Sequence, residues 1–164
     1  MPTWITPHPA EISAELRAAV GGHPLLVQVL AARGFDNPAR ARAFLDPTSY
    51  RCASPFDLPD MAVALARVQQ ALRHGEKIAV WGDFDVDGQT AATLLVQTLR
   101  ALGGDVVYHI PARGDGHGVH LPALERLIEA GAGVILTCDT GVDAHAAVAA
   151  AAARGVAVVI TDHH

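Results

Sequence analysis

Cysteine is scarce in this sequence, with two residues in 164, Cys52 and Cys138, far apart and in unlike contexts. That excludes a disulfide framework and any zinc-type Cys spacing, and it fits a reducing, cytoplasmic compartment. Aromatic residues are few, at 5%. Basic residues are in deficit: 12 Lys and Arg stand against 17 Asp and Glu, a formal charge of −5. A broad basic surface that grips nucleic acid by charge alone is therefore excluded. A phosphate substrate is not, because bound divalent cations invert the local sign. No apolar run reaches the roughly 18 residues of a membrane span, and Met1–Pro7 lacks the basic-then-apolar pattern of a signal peptide.

What the chain does have is apolar residues, 51% of it, enough to bury one ordinary core. Most of its ten prolines fall in residues 1–60. There the pattern predicts three short helices, Ala10–Val20, Pro24–Arg33 and Asn37–Leu45, then an extended linker over Ser49–Pro59. Residues 1–60 read as a small helical leader.

From residue 61 the pattern changes. Met61–His74 is an amphipathic helix with Ala64, Leu65, Val68, Ala71 and Leu72 on one face, ended by Gly75. Short apolar runs at Ile78–Trp81, Val106–Ile110, Val134–Thr137 and Val156–Thr161 then alternate with helices at Gln89–Leu102, Leu121–Ala130 and Ala144–Arg154. Alternation of this kind implies an α/β domain, a mostly parallel sheet with helices on both faces. A domain of this class seldom stops on the last residue of a central strand, so the 164 residues are expected to be part of a longer protein.

Sites in open α/β sheets form at the carboxyl ends of strands. Three groups of chemically able residues stand there: Asp83, Asp85 and Asp87; Asp139; and Asp162, His163 and His164. Three alternating carboxylates repel one another, and their pKa values rise unless cations neutralise them. Gly82 and Gly88 flank this cluster and permit a tight turn. Carboxylate oxygens with imidazole suit Mn²⁺ or Mg²⁺, and less strongly Zn²⁺ or Fe²⁺. Two such ions about 3.5–4 Å apart promote phosphoester hydrolysis.

The plainer alternatives are a surface turn or a calcium loop. A calcium loop of the EF-hand type needs Glu where Leu94 stands, and its flanks would not be strand then helix. Asp139, before Thr140-Gly141, taken alone reads more readily as a turn residue, with Gly141 supplying a positive φ. Asp143 reads as the cap of the following helix, and Cys138 as buried packing beside the site. His117 and His120 read as loop histidines. Arg113 is either a phosphate contact or a surface ion pair.

At these residues a resemblance becomes specific. Trp81-Gly82-Asp83-Phe84-Asp85-Val86-Asp87-Gly88 resembles motif I of the DHH phosphoesterase superfamily, in the form of its RecJ branch of single-stranded-DNA-specific exonucleases. Asp139-Thr140-Gly141 is similar to motif II, and Asp162-His163-His164 to the name-giving motif III. The leader resembles the RecJ N-terminal region at Trp4, Arg33-Gly34, Ala43-Phe44-Leu45 and Leu58-Pro59-Asp60-Met61. Ile110-Pro111-Ala112-Arg113 resembles the family's Ile-Pro-x-Arg segment, which precedes Gly-Tyr-Gly; here Gly116-His117-Gly118 follows.

The resemblance implies a two-metal site holding Mn²⁺ or Mg²⁺. Asp85 would ligate one ion, Asp87 the other, and Asp139 both. His163 would join the second ion, and Asp83 would ligate or support the first. Asp162 and His164 would orient ligands or contact the scissile phosphate, and Arg113 and His117 would meet substrate. It implies 5′→3′ digestion of single-stranded DNA in repair and recombination. Alternatives within the superfamily are action on short oligonucleotides or cyclic dinucleotides, and a non-catalytic scaffold. Trp81 stands where some branches place a metal-binding His, and the loop after Arg113 is one residue shorter than usual. The family's fourth metal-binding Asp and its C-terminal domain lie beyond residue 164, so the resemblance implies weak turnover, or none, from these residues alone.

Overall fold

The computed structural model describes residues 10–164. Trp4 lies outside the described residues. The chain divides into two compact units, Met1–Asp57 and Leu58–His164.

The first unit contains helices α1 (Ala14–Val20), α2 (Pro24–Ala32) and α3 (Pro38–Leu45). α1 starts later than its apolar pattern predicts because the Ser13 side chain accepts the Leu16 amide and fixes the N-terminus there. Asn37 caps α3 in the same way, ahead of Pro38 in the first turn. Leu16, Val27, Leu30 and Ala41 form this unit's core. The linker expected to be extended contains one turn of 3₁₀ helix at Pro55–Asp57, where the Asp57 carboxylate accepts the Ser54 amide and the Ser54 carbonyl accepts the Asp57 amide.

The second unit is α4 (Met61–His74), β1 (Lys77–Trp81), α5 (Val86–Ala101), β2 (Val106–His109), α6 (Leu121–Glu129), β3 (Ala132–Cys138), α7 (His145–Ala153) and β4 (Ala157–Thr161). The four strands pair in parallel in the order β2-β1-β3-β4. Alternation along the strands splits the core in two. Ile78, Val80, Val134 and Leu136 meet α4 and α5 through Ala71, Ala92, Val96 and Leu99. Ala79, Trp81 and Ile135 meet α6 and α7 through Ala123, Leu124, Ala147 and Ala151 on the other face. The predicted parallel sheet covered on both sides is therefore what forms. Leu65 is the exception on α4's apolar face, being 39% exposed.

Two local expectations are corrected. Asp143 is not a helix cap: α7 begins one residue later, with Ala144 at the N-cap and no side-chain cap bond. α5 begins at Val86, three residues before the predicted start, because Asp85 accepts the amides of Asp87 and Gly88. The carboxylate cluster thus runs off a loop into the first turn of a helix.

The strand order places the site. From β1 the chain moves outward to β2, then crosses back to β3 on the other side of β1. The loops after β1 and β3 therefore part from each other, leaving a crevice between two adjacent strand ends.

Candidate metal centre

Each strand end delivers its acidic group by a different local device. After β1, Gly82 and Gly88 are required by close approach, and not by turn geometry as the sequence suggests. A Cβ on Gly88 would lie 2.3 Å from the Asp83 amide nitrogen, and one on Gly82 would lie 2.7 Å from the Gly88 carbonyl. This contact folds the loop back against the start of α5 and buries Asp83 to 2% exposure. After β3, Asp139 is held in the left-handed region at φ +61°, which L-residues other than Asn and Asp seldom tolerate. Its amide continues the ladder by donating to Thr161, and Gly141 follows at φ +115° with Thr137 beneath it.

After β4, Asp162 acts as the keystone of the last turn. One oxygen accepts the amides of His163 and His164 and lies 2.7 Å from His164 Nδ1; the other accepts the Val142 amide. Burial would raise its pKa, but these hydrogen bonds outweigh burial and hold it at about 2. The same contact with Asp162 raises the pKa of His164. With Nδ1 engaged, Nε2 is the His164 nitrogen turned to other partners.

These devices bring the predicted residues together in two groups. In the first, His163 Nε2 lies 2.8 Å from Asp139 Oδ1. Asp87, Asp139, Asp162 and His163 line one open cleft of about 370 Å³ with Ala91, Cys138 and Thr161. Asp85 reaches Asp139 side chain to side chain. Its pKa is lowered, first by the Gly88 amide, with the Asp87 amide, Asp139 and Arg113 adding to the effect against burial. The free amides of the α5 N-terminus are the leading cause of that lowering. In the second group, His117 Nδ1 lies 3.3 Å from Asp83 Oδ1, and the His117 and His164 rings meet edge-on at 4.7 Å. His163 stacks on His164 at 4.6 Å and joins the two groups.

Arg113 is exposed and lies with its guanidinium 4.6 Å from the centre of the Phe84 ring, beside the cluster rather than within it. Sequence reasoning did not single out Phe84, or Thr140, whose hydroxyl lies 3.5 Å from His117 Nε2. Thr140 sits inside the Asp-Thr-Gly segment and could have been flagged there; nothing in the sequence marks Phe84. His120 is half-buried, with Nε2 3.1 Å from the Gly116 carbonyl, and shapes the loop. Cys138 is buried, as expected, with Sγ 3.6 Å from the Trp81 carbonyl. Burial first, and then Asp139, push its thiol up to about 11, so it is no nucleophile.

The donor set fits divalent cations. Asp83 is buried, yet its Oδ1 has no hydrogen-bond partner. A buried carboxylate oxygen in that state is costly unless a cation lies against it. Carboxylates on three loops and an imidazole at 2.8 Å supply the hard oxygen and nitrogen ligands that Mn²⁺ and Mg²⁺ take.

Against known families, residues 77–164 match the model of the DHH family, N-terminal domain. The chain belongs to the DHH family. Among curated proteins, it is 37% identical over 142 residues to the single-stranded-DNA-specific exonuclease RecJ of Bacillus subtilis, covering 86% of this chain and 18% of that protein. It is 43% identical over 103 residues to RecJ of Dickeya dadantii, covering 62% of this chain and 18% of that protein. Among solved structures, an exonuclease RecJ bound to manganese aligns with a TM-score of 0.64 at 38% identity, over 69% of this chain and 29% of that one. RecJ from Thermus thermophilus in complex with Mn²⁺ aligns with a TM-score of 0.63 at 34% identity, over 92% of this chain and 20% of that one. This DHH-family chain thus spans between 18% and 29% of the length of these relatives. Among the described residues, no helix is long and apolar enough to cross a membrane.

Proposed function

We propose that this chain forms part of a cytoplasmic, metal-dependent exonuclease acting 5′→3′ on single-stranded DNA in repair and recombination. The observation that carries the reading is the convergence of three strand-end loops on one crevice, summarised by the 2.8 Å contact between His163 and Asp139. RecJ proteins similar to this chain are named single-stranded-DNA-specific exonucleases, and the two aligned structures hold manganese.

In this reading Asp85, Asp87, Asp139 and His163 hold two divalent cations, Mn²⁺ or Mg²⁺, with Asp83 beside the first. When bound, such a pair activates water and neutralises charge on the phosphoester. The chain's own residues do the rest. Asp139 faces both halves of the site, toward Asp85 on one side and His163 on the other. Asp162 engages His164 Nδ1 and sets the direction of the ring, which leaves Nε2 to meet substrate. Arg113, laid on Phe84, offers its planar fork to a second phosphate oxygen.

The full set of carboxylates speaks against a non-catalytic scaffold, since a scaffold has no need to keep repelling charges together. The resemblance of the leader to RecJ favours long single strands over short oligonucleotides or cyclic dinucleotides.

The test is Mn²⁺-dependent release of nucleotides from 5′-labelled single-stranded DNA by the full-length gene product, beside duplex DNA, a dinucleotide and a cyclic dinucleotide. Preference for the long single strand supports the proposal. Equal or better turnover of the small substrates would replace it with the oligonucleotide reading.

A further inference from the structure

The acidic loops account for an oxygen-rich centre, but His117 stands outside it. Its loop, Gly116-His117-Gly118, has both glycines at positive φ, +85° and +111°, and brings the imidazole over the β1 end. The side chain is 40% exposed, so it is not there to fill the core. Beneath it lies the one carboxylate in the cluster that is both buried and short of a partner. The Nδ1–Oδ1 separation is 3.3 Å, but the contact is off-line for a hydrogen bond, and Asp83 Oδ1 stays unsatisfied. Two donors bound to one tetrahedral ion at 2.0–2.1 Å stand about 3.3 Å apart. The spacing is wrong in direction for a hydrogen bond and right in length for two ligands of one cation.

A third donor is at hand. His164 has Nδ1 tied to Asp162, which leaves Nε2 free, the usual state of an imidazole backed by a carboxylate at a metal. His117 and His164 present ligand atoms within 4.8 Å of each other, and the exposed His117 can turn to close the remaining gap while Asp162 holds His164. Asp162 also lies within that distance, but both its oxygens are already engaged. It serves as support, not as ligand.

We propose that Asp83, His117 and His164 form a nitrogen-rich cation subsite with His117 as a direct ligand. Two imidazoles and one carboxylate favour Zn²⁺, Co²⁺ or Ni²⁺ over Mn²⁺ and Mg²⁺. The subsite supplies imidazole beside β1, where Trp81 is fully buried and cannot ligate. Its occupation would also engage the His164 nitrogen left above to meet substrate, so Zn²⁺ would oppose substrate contact there. Cation binding at these three residues stands apart from the exonuclease reading, whose own test is DNA degradation.

The experiment is calorimetric titration of the metal-free chain with Zn²⁺, repeated with Co²⁺ while recording visible absorption, with Mn²⁺ binding followed in parallel by electron paramagnetic resonance. The wild-type chain should bind Zn²⁺ in a step that His117→Phe and His164→Phe each weaken about 10- to 100-fold. Both variants should also lose the nitrogen-ligand Co²⁺ bands, while Mn²⁺ affinity changes much less. Circular dichroism confirms that each variant is folded. Unchanged Zn²⁺ binding in folded His117→Phe overturns the proposal. Equal loss of Zn²⁺ and Mn²⁺ binding overturns it too, since His117 would then act on the whole site indirectly.

Discussion

His163 Nε2 lies 2.8 Å from Asp139 Oδ1, a contact made between the loops that follow two neighbouring strands. Asp139 is held at φ +61° with its side chain nine-tenths buried, so the carboxylate is fixed and the exposed histidine comes to it. Asn tolerates the same backbone conformation. Asp139→Asn should therefore fold and lose Mn²⁺ binding, measured by electron paramagnetic resonance. It should leave no measurable DNA degradation in the full-length protein. Near-normal rates would remove Asp139 from the site.

Gly88 packs against the Asp83 backbone so closely that no side chain fits. Gly88→Ala should cost about 1–3 kcal/mol in urea denaturation, because the clash is with backbone and cannot be relieved by a rotamer change. Gly114, with open space around its Cβ position, is the control. Gly114→Ala should stay within about 0.5 kcal/mol of wild type. Equal costs for the two would mean the β1–α5 turn is more pliable than its packing implies.

The two cysteines should react differently. Cys52 is exposed and Cys138 is buried with its thiol pushed up to about 11. At pH 8 a thiol reagent should label Cys52 alone in the folded chain and both residues in urea. A thiol whose pKa is raised by folding lends stability below its unfolded value, about 8.5. That stability is lost as pH rises toward 11. Cys138→Ala should therefore flatten the alkaline decline in Tm between about pH 8.5 and 11.

Arg67 bonds both Glu76 and the Gly133 carbonyl, linking α4 to β3. The Arg67 side chain lowers the Glu76 pKa from its ordinary 4.5. A lowered carboxylate lends stability above its unfolded pKa and loses it as pH falls through the folded value. Glu76→Gln should lower Tm modestly at pH 7, with the gap from wild type closing below pH 4.5 and narrowing further with salt. A gap independent of pH would show that Arg67 acts through Gly133 instead.

Residue pattern alone determined much of this protein. Apolar runs of strand length, separated by helix-length amphipathic stretches, leave a parallel sheet covered on both faces as the economical way to bury Ile78, Val80, Val134 and Leu136 together with Trp81 and Ile135. Strand ends follow from that, and so does the placing of Asp83–Asp87, Asp139 and Asp162–His164 on one edge. Tertiary structure decided how those groups divide, because that depends on contacts with no sequence period. Strand order set β1 and β3 side by side and brought Asp85 to Asp139. The missing Cβ of Gly88 buried Asp83. The amides at the start of α5 lowered the Asp85 pKa. A glycine-flanked loop carried His117 onto Asp83 from a position that the pattern marks only as solvent-facing. Periodicity reports which way a residue faces along its own element; only packing brings a loop side chain within 3.3 Å of a buried oxygen on another.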